Sequence, residues 1–155
     1  ENFDNTLKKY FNDWSFRHPK PNDFVRSAER VSGLELDWYL LDWAQSTMTI
    51  DYSINSVYGV NNRTKIVLKR IGQMGMPIDI RVLLDSGDSL DFNIPMTKMR
   101  GSKPLESSTL LESWSWAKPY YEFWIDVDSN KISKILIDPK NEMADINRDN
   151  NSLDL

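Results

Sequence analysis

The chain has 155 residues, room for one large domain or for a small helical unit beside a β-domain, and a compact chain of this size buries roughly two-thirds of its unfolded surface. A formal net charge of −4 argues against nucleic acid as the main partner, because neutralising phosphates takes a basic face. With no cysteine there is neither a disulfide framework nor thiol chemistry, and no apolar run approaches the ~18 residues of a membrane-crossing helix.

The first residue is Glu1 rather than Met, which leads us to expect an excised or processed piece. Phe3, Leu7, Tyr10, Phe11 and Trp14 keep helical spacing, with Asp4 or Asn5 in place to cap the start. His18-Pro19-Lys20-Pro21 forces an extended link, since each proline turns the preceding residue away from helix. Asn22 is the expected cap of a second helix whose inner face is Phe24, Ala28 and Val31. Gly33 ends it in the left-handed conformation that favours glycine. A third helix runs to about Gln45. Leu36, Tyr39, Leu40 and Trp43 fall at i, i+3, i+4 and i+7, one stripe expected to be buried, while Trp38 and Leu41 point elsewhere.

From Ile50 the apolar period changes from 3.6 to 2. Ile50, Tyr52 and Ile54 alternate with polar residues, Tyr58 to Arg63 reads as a turn, and Ile66 to Ile71 as a strand with one mixed face. Ile78, Ile80, Val82 and Leu84 alternate cleanly, Asp85-Ser86-Gly87-Asp88 is a hairpin turn, and Leu90, Phe92 and Ile94 return. Thr97 to Ser113 is a long Ser- and Lys-containing connection with a short strand expected near Leu110. Tyr121 to Val127 and Ile132 to Ile137 form another pair about Asp128-Ser129-Asn130. The predicted class is α+β: a helical segment over 1–46, an antiparallel β-sandwich of about seven strands over 48–150, and a loose polar tail over 151–155.

Residue types restrict the chemistry. One His and no Cys cannot supply the usual zinc ligand sets, and HExxH is absent. His18 sits in a surface link and reads as solvated rather than as a triad base. Asp126-Val127-Asp128-Ser129-Asn130 opens like a calcium loop, but Lys131 stands where that loop needs Gly and Ile137 where it needs Glu, so a hairpin turn accounts better for the acids. Asn62-Arg63-Thr64 and Asn150-Asn151-Ser152 match glycosylation sequons. No phosphate-cradling glycine loop and no GxSxG elbow occurs. The densest aromatic run, Trp114 to Trp124, has two readings. Alternate rings fill the sandwich core while the others pack on the helices, or exposed rings stack on a ligand such as a sugar.

Three stretches together resemble the C-terminal part of aminopeptidase N family zinc metallopeptidases, the gluzincins. They are Leu7-Lys8-Lys9-Tyr10-Phe11 through Asp23-Phe24 and Glu29 to Trp38 with Trp43; then Gly75-Met76-Pro77-Ile78-Asp79-Ile80; then Ile135 to Pro139 with Ala144 to Asn151. The first is similar to the closing helices of that family's catalytic domain, the second to a strand of the following β-domain, the third to the end of bacterial members. The resemblance implies a parent enzyme that hydrolyses peptides at zinc held by HExxH and a downstream Glu. None of those motifs has a counterpart in this chain, so no catalytic, cofactor-binding or metal-binding residue is assigned to it, and zinc belongs to the parent.

The expected role is therefore non-catalytic: to complete the helical wall and dock the sandwich on it. Trp38 and Leu41 are expected to contact the sandwich or upstream structure. The expected partners are the parent's upstream catalytic domain and, through an uncovered helical face, a second copy; nucleic acid and membrane are not expected. The alternative from another class is a stand-alone binding module for carbohydrate or peptide, using the Trp114–Trp124 face.

Overall fold

A computed structural model describes residues 2–103 and 107–155; the side chains of Leu40 and Leu41 lie outside what it describes. The chain divides into two compact units. One comprises residues 1–47 with 98–102, the other 48–97 with 103–155.

The helical unit holds α1 (Asn2–Trp14), α2 (Pro21–Ser32) and α3 (Asp37–Gln45). Helix α1 already begins at Asn2, so Asp4 lies in its first turn, where a carboxylate favours the positive end of the helix. The start of α2 is set by Lys20 rather than Asn22. Pro21 supplies the fixed φ of the first helical position, and the Asp23 carboxylate accepts the Lys20 N–H at 2.8 Å. Gly33 closes α2 at φ 71°, its N–H donating to the Glu29 carbonyl at 2.8 Å. Buried Thr6 and Ser27 each donate to the carbonyl one turn back, which satisfies their hydroxyls within their own helix. Tyr10 meets Phe24 edge to face at 5.3 Å.

Two expectations for this unit are corrected. The stripe assigned to the interior is not all interior: Tyr39 and Trp43 are exposed, while Trp38, on the other side, is buried with its indole N–H on the Glu35 carbonyl. The unit is also not contiguous. The segment 98–102 joins it, with Met99 buried and its carbonyl accepting the Glu35 N–H at 3.0 Å. Of the two residues expected to reach the sandwich or upstream structure, Leu41 has its side chain outside the described residues.

Among the described residues the second unit carries eight strands in two sheets, in line with the about seven expected. β1 (Tyr52–Val60), β2 (Arg63–Arg70) and β6 (Tyr120–Ile125) form one sheet in the order β1-β2-β6. β3 (Ile78–Leu84), β4 (Ser89–Ile94), β5 (Thr109–Leu110), β7 (Ile132–Ile137) and β8 (Ser152–Asp154) form the other, ordered β5-β4-β3-β7-β8. The short strand at Leu110 is present, but it pairs with β4 in parallel, so the sheet is not wholly antiparallel. The tail is not loose either: β8 pairs antiparallel with β7.

Both sheets contribute to one core, which gives the unit its sandwich-like layout. Ile66, Leu68, Phe123 and Ile125 come from one sheet and Ile80, Val82, Ile94, Ile135 and Ile137 from the other. Period-2 alternation puts these residues inside, and each buried branched side chain contributes about 1.5–3 kcal/mol. The β1–β2 turn uses Asn61 and Asn62 at φ 50° and 62°, the left-handed pair a two-residue hairpin needs. Residues 138–151 have little regular structure, and two carboxylates help to tie the segment down. Asp138 accepts the N–H groups of Glu142 and Met143, and Asp145 those of Asn147 and Tyr52.

Candidate interaction surfaces

The residues considered for catalysis do not come together. His18 is exposed on the link between α1 and α2. Asp126 pairs with Arg63 at 2.6 Å, and Asp128 accepts the Asn130 N–H in a 3-10 turn, so the acids of the β6–β7 connection serve the turn. Thr64 of the first sequon is buried, its hydroxyl on the Val127 carbonyl. Among the described residues one carboxylate group is tight enough for a cation, Glu29, Glu35 and Asp37. Two of its three members already have structural duties: Glu29 accepts the Leu36 N–H at 2.8 Å, and Glu35 lies 3.7 Å from the Arg100 guanidinium.

The helical unit presents an apolar groove of about 420 Å³, lined by Phe3, Phe24, Val25, Leu36, Tyr39 and Trp43. Phe3 is 65% exposed and Phe11 69%, and Leu7, Phe16, Tyr39 and Trp43 are exposed as well. Large apolar side chains in this density on one small unit make it a candidate interaction surface.

The outer face of the three-stranded sheet has a different character. In the Trp114–Trp124 run, Trp114 and Phe123 are buried and Tyr121 is half-buried, so alternate rings do fill the core. Trp114 meets Tyr52 edge to face and Tyr121 at a tilt, and its indole N–H donates to the Lys118 carbonyl. Trp116, Tyr120 and Trp124 are exposed. The register sets Tyr58, Lys65 and Trp124 in one row across the three strands, and Lys69 opposite Tyr120. Cations lie over the rings: Arg63 at 5.4 Å and Lys65 at 5.9 Å from the Trp124 centroid, and Lys69 at 5.8 Å from that of Tyr120. Our sequence reading misses these cations, although the alternation in Arg63-Thr64-Lys65-Ile66 carries the signal. With Thr64 and Ile66 inside, Arg63 and Lys65 must face out.

On the other sheet a polar recess of about 310 Å³ lies over β3 and β4. Arg81 donates twice to Asp91, at 2.7 and 2.8 Å, which holds that carboxyl below its usual range and raises the guanidinium. Lys103 pairs with Asp79, and Asn93 donates to the same carboxylate. Arg81 with Asp91 and Lys103 with Asp79 pair here, so these four charges brace the recess.

Compared with known proteins, the chain matches no family model and no curated protein matches it.

Proposed function

We propose that this chain is the non-catalytic C-terminal portion of an aminopeptidase N-like zinc metallopeptidase, its helices completing the wall of a catalytic domain. The observation that carries this reading is the open aromatic groove of the helical unit, edged by Phe3, with Phe11, outside the groove lining, also more than half exposed. An exposed apolar face of this kind is a common site for other protein to dock. The ordered motifs support the reading too: Gly33 closes α2, Gly75-Met76-Pro77 leads into β3, and Asp138 with Asp145 holds the closing segment.

This chain's own residues do not fit the family's zinc site, which takes two histidines where the chain has His18 alone. Zinc-activated water and the supporting carboxylate belong to the proposed upstream segment, and no step of the hydrolysis is assigned here.

The test compares two polypeptides from the same gene. A longer product that includes the upstream coding sequence is expected to contain HExxH and to release the chromophore from aminoacyl-p-nitroanilides. Chelation abolishes that activity and zinc restores it, while this chain alone is inert. An upstream sequence lacking a zinc motif, or none at all, contradicts the proposal. A second reading, of the β unit as a binding module, is supported by the exposed rings Tyr120 and Trp124 under their cations.

A further inference from the structure

We infer that the outer face of β1, β2 and β6 binds an acidic polysaccharide, a chain of uronate-type sugars whose ring faces stack on Tyr58, Trp124 and Tyr120 and whose carboxylates meet Lys65, Lys69 and Arg63. The inference deepens the binding-module reading and is independent of the peptidase one. Its basis is the alternation of the two kinds of group across the sheet. Tyr58 and Trp124 flank Lys65 in a single row, about 9.5 Å apart at twice the spacing of neighbouring strands. Tyr120 lies four residues along the same strand from Trp124, about 13 Å away on the same face.

The chemistry of the face selects among ligand classes. Neutral sugars are oriented by amides and hydroxyls around an aromatic platform, whereas the groups lying over these rings are three cations, two of them paired with Glu122 and Asp126. Peptides dock through a sheet edge or into a groove, whereas the rings and cations here lie on the face of the sheet, between its β1 and β6 edges. Glu122 and Asp126 on the same face, and a chain net charge of −4, make the positive charge here local rather than continuous, so the rings as well as the cations must contribute to binding. A uronate chain carries one carboxylate per sugar beside an apolar C–H face, which matches rings and cations in alternation.

The two acids do not block the site. Lys65–Glu122 and Arg63–Asp126 are exposed pairs whose carboxylate side chains are 63% and 85% exposed, and such pairs contribute little. A ligand carboxylate exchanges with them while the lysine stems stay packed on the rings.

Calorimetric titration of the whole chain with polygalacturonate, its fully methyl-esterified form and poly-L-glutamate tests the inference. Polygalacturonate is expected to bind, more weakly as NaCl rises, and the other two at least tenfold more weakly. Trp124→Ala and Lys65→Ala are each expected to cost about tenfold in affinity with circular dichroism and melting unchanged. Tyr120→Ala provides a second probe of the platform should Trp124→Ala disturb the sheet. Equal binding of polyglutamate would reduce the effect to charge, and equal binding of the methyl ester would reduce it to the rings; either overturns the inference. Absence of polygalacturonate binding at low salt, or full affinity in both ring variants, overturns it too. If none of the three polymers binds, the binding-module reading loses this face as well.

Discussion

Tyr52 shows how much one side chain can organise. Almost wholly buried, it packs against Trp114, accepts a hydrogen bond from the Met76 N–H at 2.9 Å and donates to the Met76 carbonyl at 3.1 Å. Burial, outweighing the hydrogen bond to Met76, pushes its pKa up to about 12. Burial followed by the nearby Glu112 does the same for Tyr121, whose hydroxyl donates to the Glu112 carbonyl. A raised folded-state pKa means that the fold favours the protonated phenol. That stability is fully present below the ordinary value near 10 and is lost as pH rises from there through about 12. Urea midpoints are therefore expected to hold steady up to about pH 10 and to fall between 10 and 12, with the fall much reduced in a Tyr52→Phe, Tyr121→Phe double variant. An unchanged fall in that variant would contradict the assignment. At neutral pH, Tyr52→Phe leaves both Met76 backbone groups without their partner and is expected to cost about 1–3 kcal/mol, read from denaturant unfolding.

At the scale of elements, what the sequence made legible follows the range of the forces. The β3–β4 hairpin is local: apolar alternation on both arms, and Gly87 at φ 90° in the turn, where its N–H reaches the Leu84 carbonyl. The end of α2 is local too. A Cβ added at Gly33 would meet nothing within 4 Å, so Gly33→Ala is expected to cost about 1 kcal/mol from its left-handed backbone alone, measured as helix loss by circular dichroism. An unshifted transition would show that the cap is dispensable.

What stayed illegible is held by distant partners. β5 is two residues long and exists because Phe92 and Asn93 present an edge to it. The tail forms β8 because β7 leaves its edge open, and polar residues at an edge do not announce a strand. Ending the chain at Asn151 is expected to lower the melting temperature and raise light scattering as the β7 edge is exposed; unchanged values would mean that β8 protects nothing. The third helix misled for another reason. Its helical period is genuine, but period reports a face, not what covers it, and Tyr39 and Trp43 line an open groove.

At the scale of the molecule, the two units differ in how they satisfy their apolar residues. The β unit closes a core from two sheets, with Ile66, Leu68, Val82 and Ile135 inaccessible to solvent. The helical unit keeps Val25, Trp38 and Met99 inside and leaves Phe3, Phe11, Phe16, Tyr39 and Trp43 outside. The composition was readable in advance, with six tryptophans on 155 residues, but the joining of 98–102 to the helices was not. That union rests on the Glu35–Met99 hydrogen bond and on the close fit of Gly101 to Leu34, which no spacing in the sequence encodes.

The account turns on whether the groove edged by Phe3 is made to be covered, and sedimentation velocity of the isolated chain over a range of concentrations tests this most directly. We predict a mass that rises with concentration and returns to that of a monomer in a Phe3→Ser, Phe11→Ser variant with unchanged helix content. A monomer at every concentration, with the double variant indistinguishable from the parent, would contradict it.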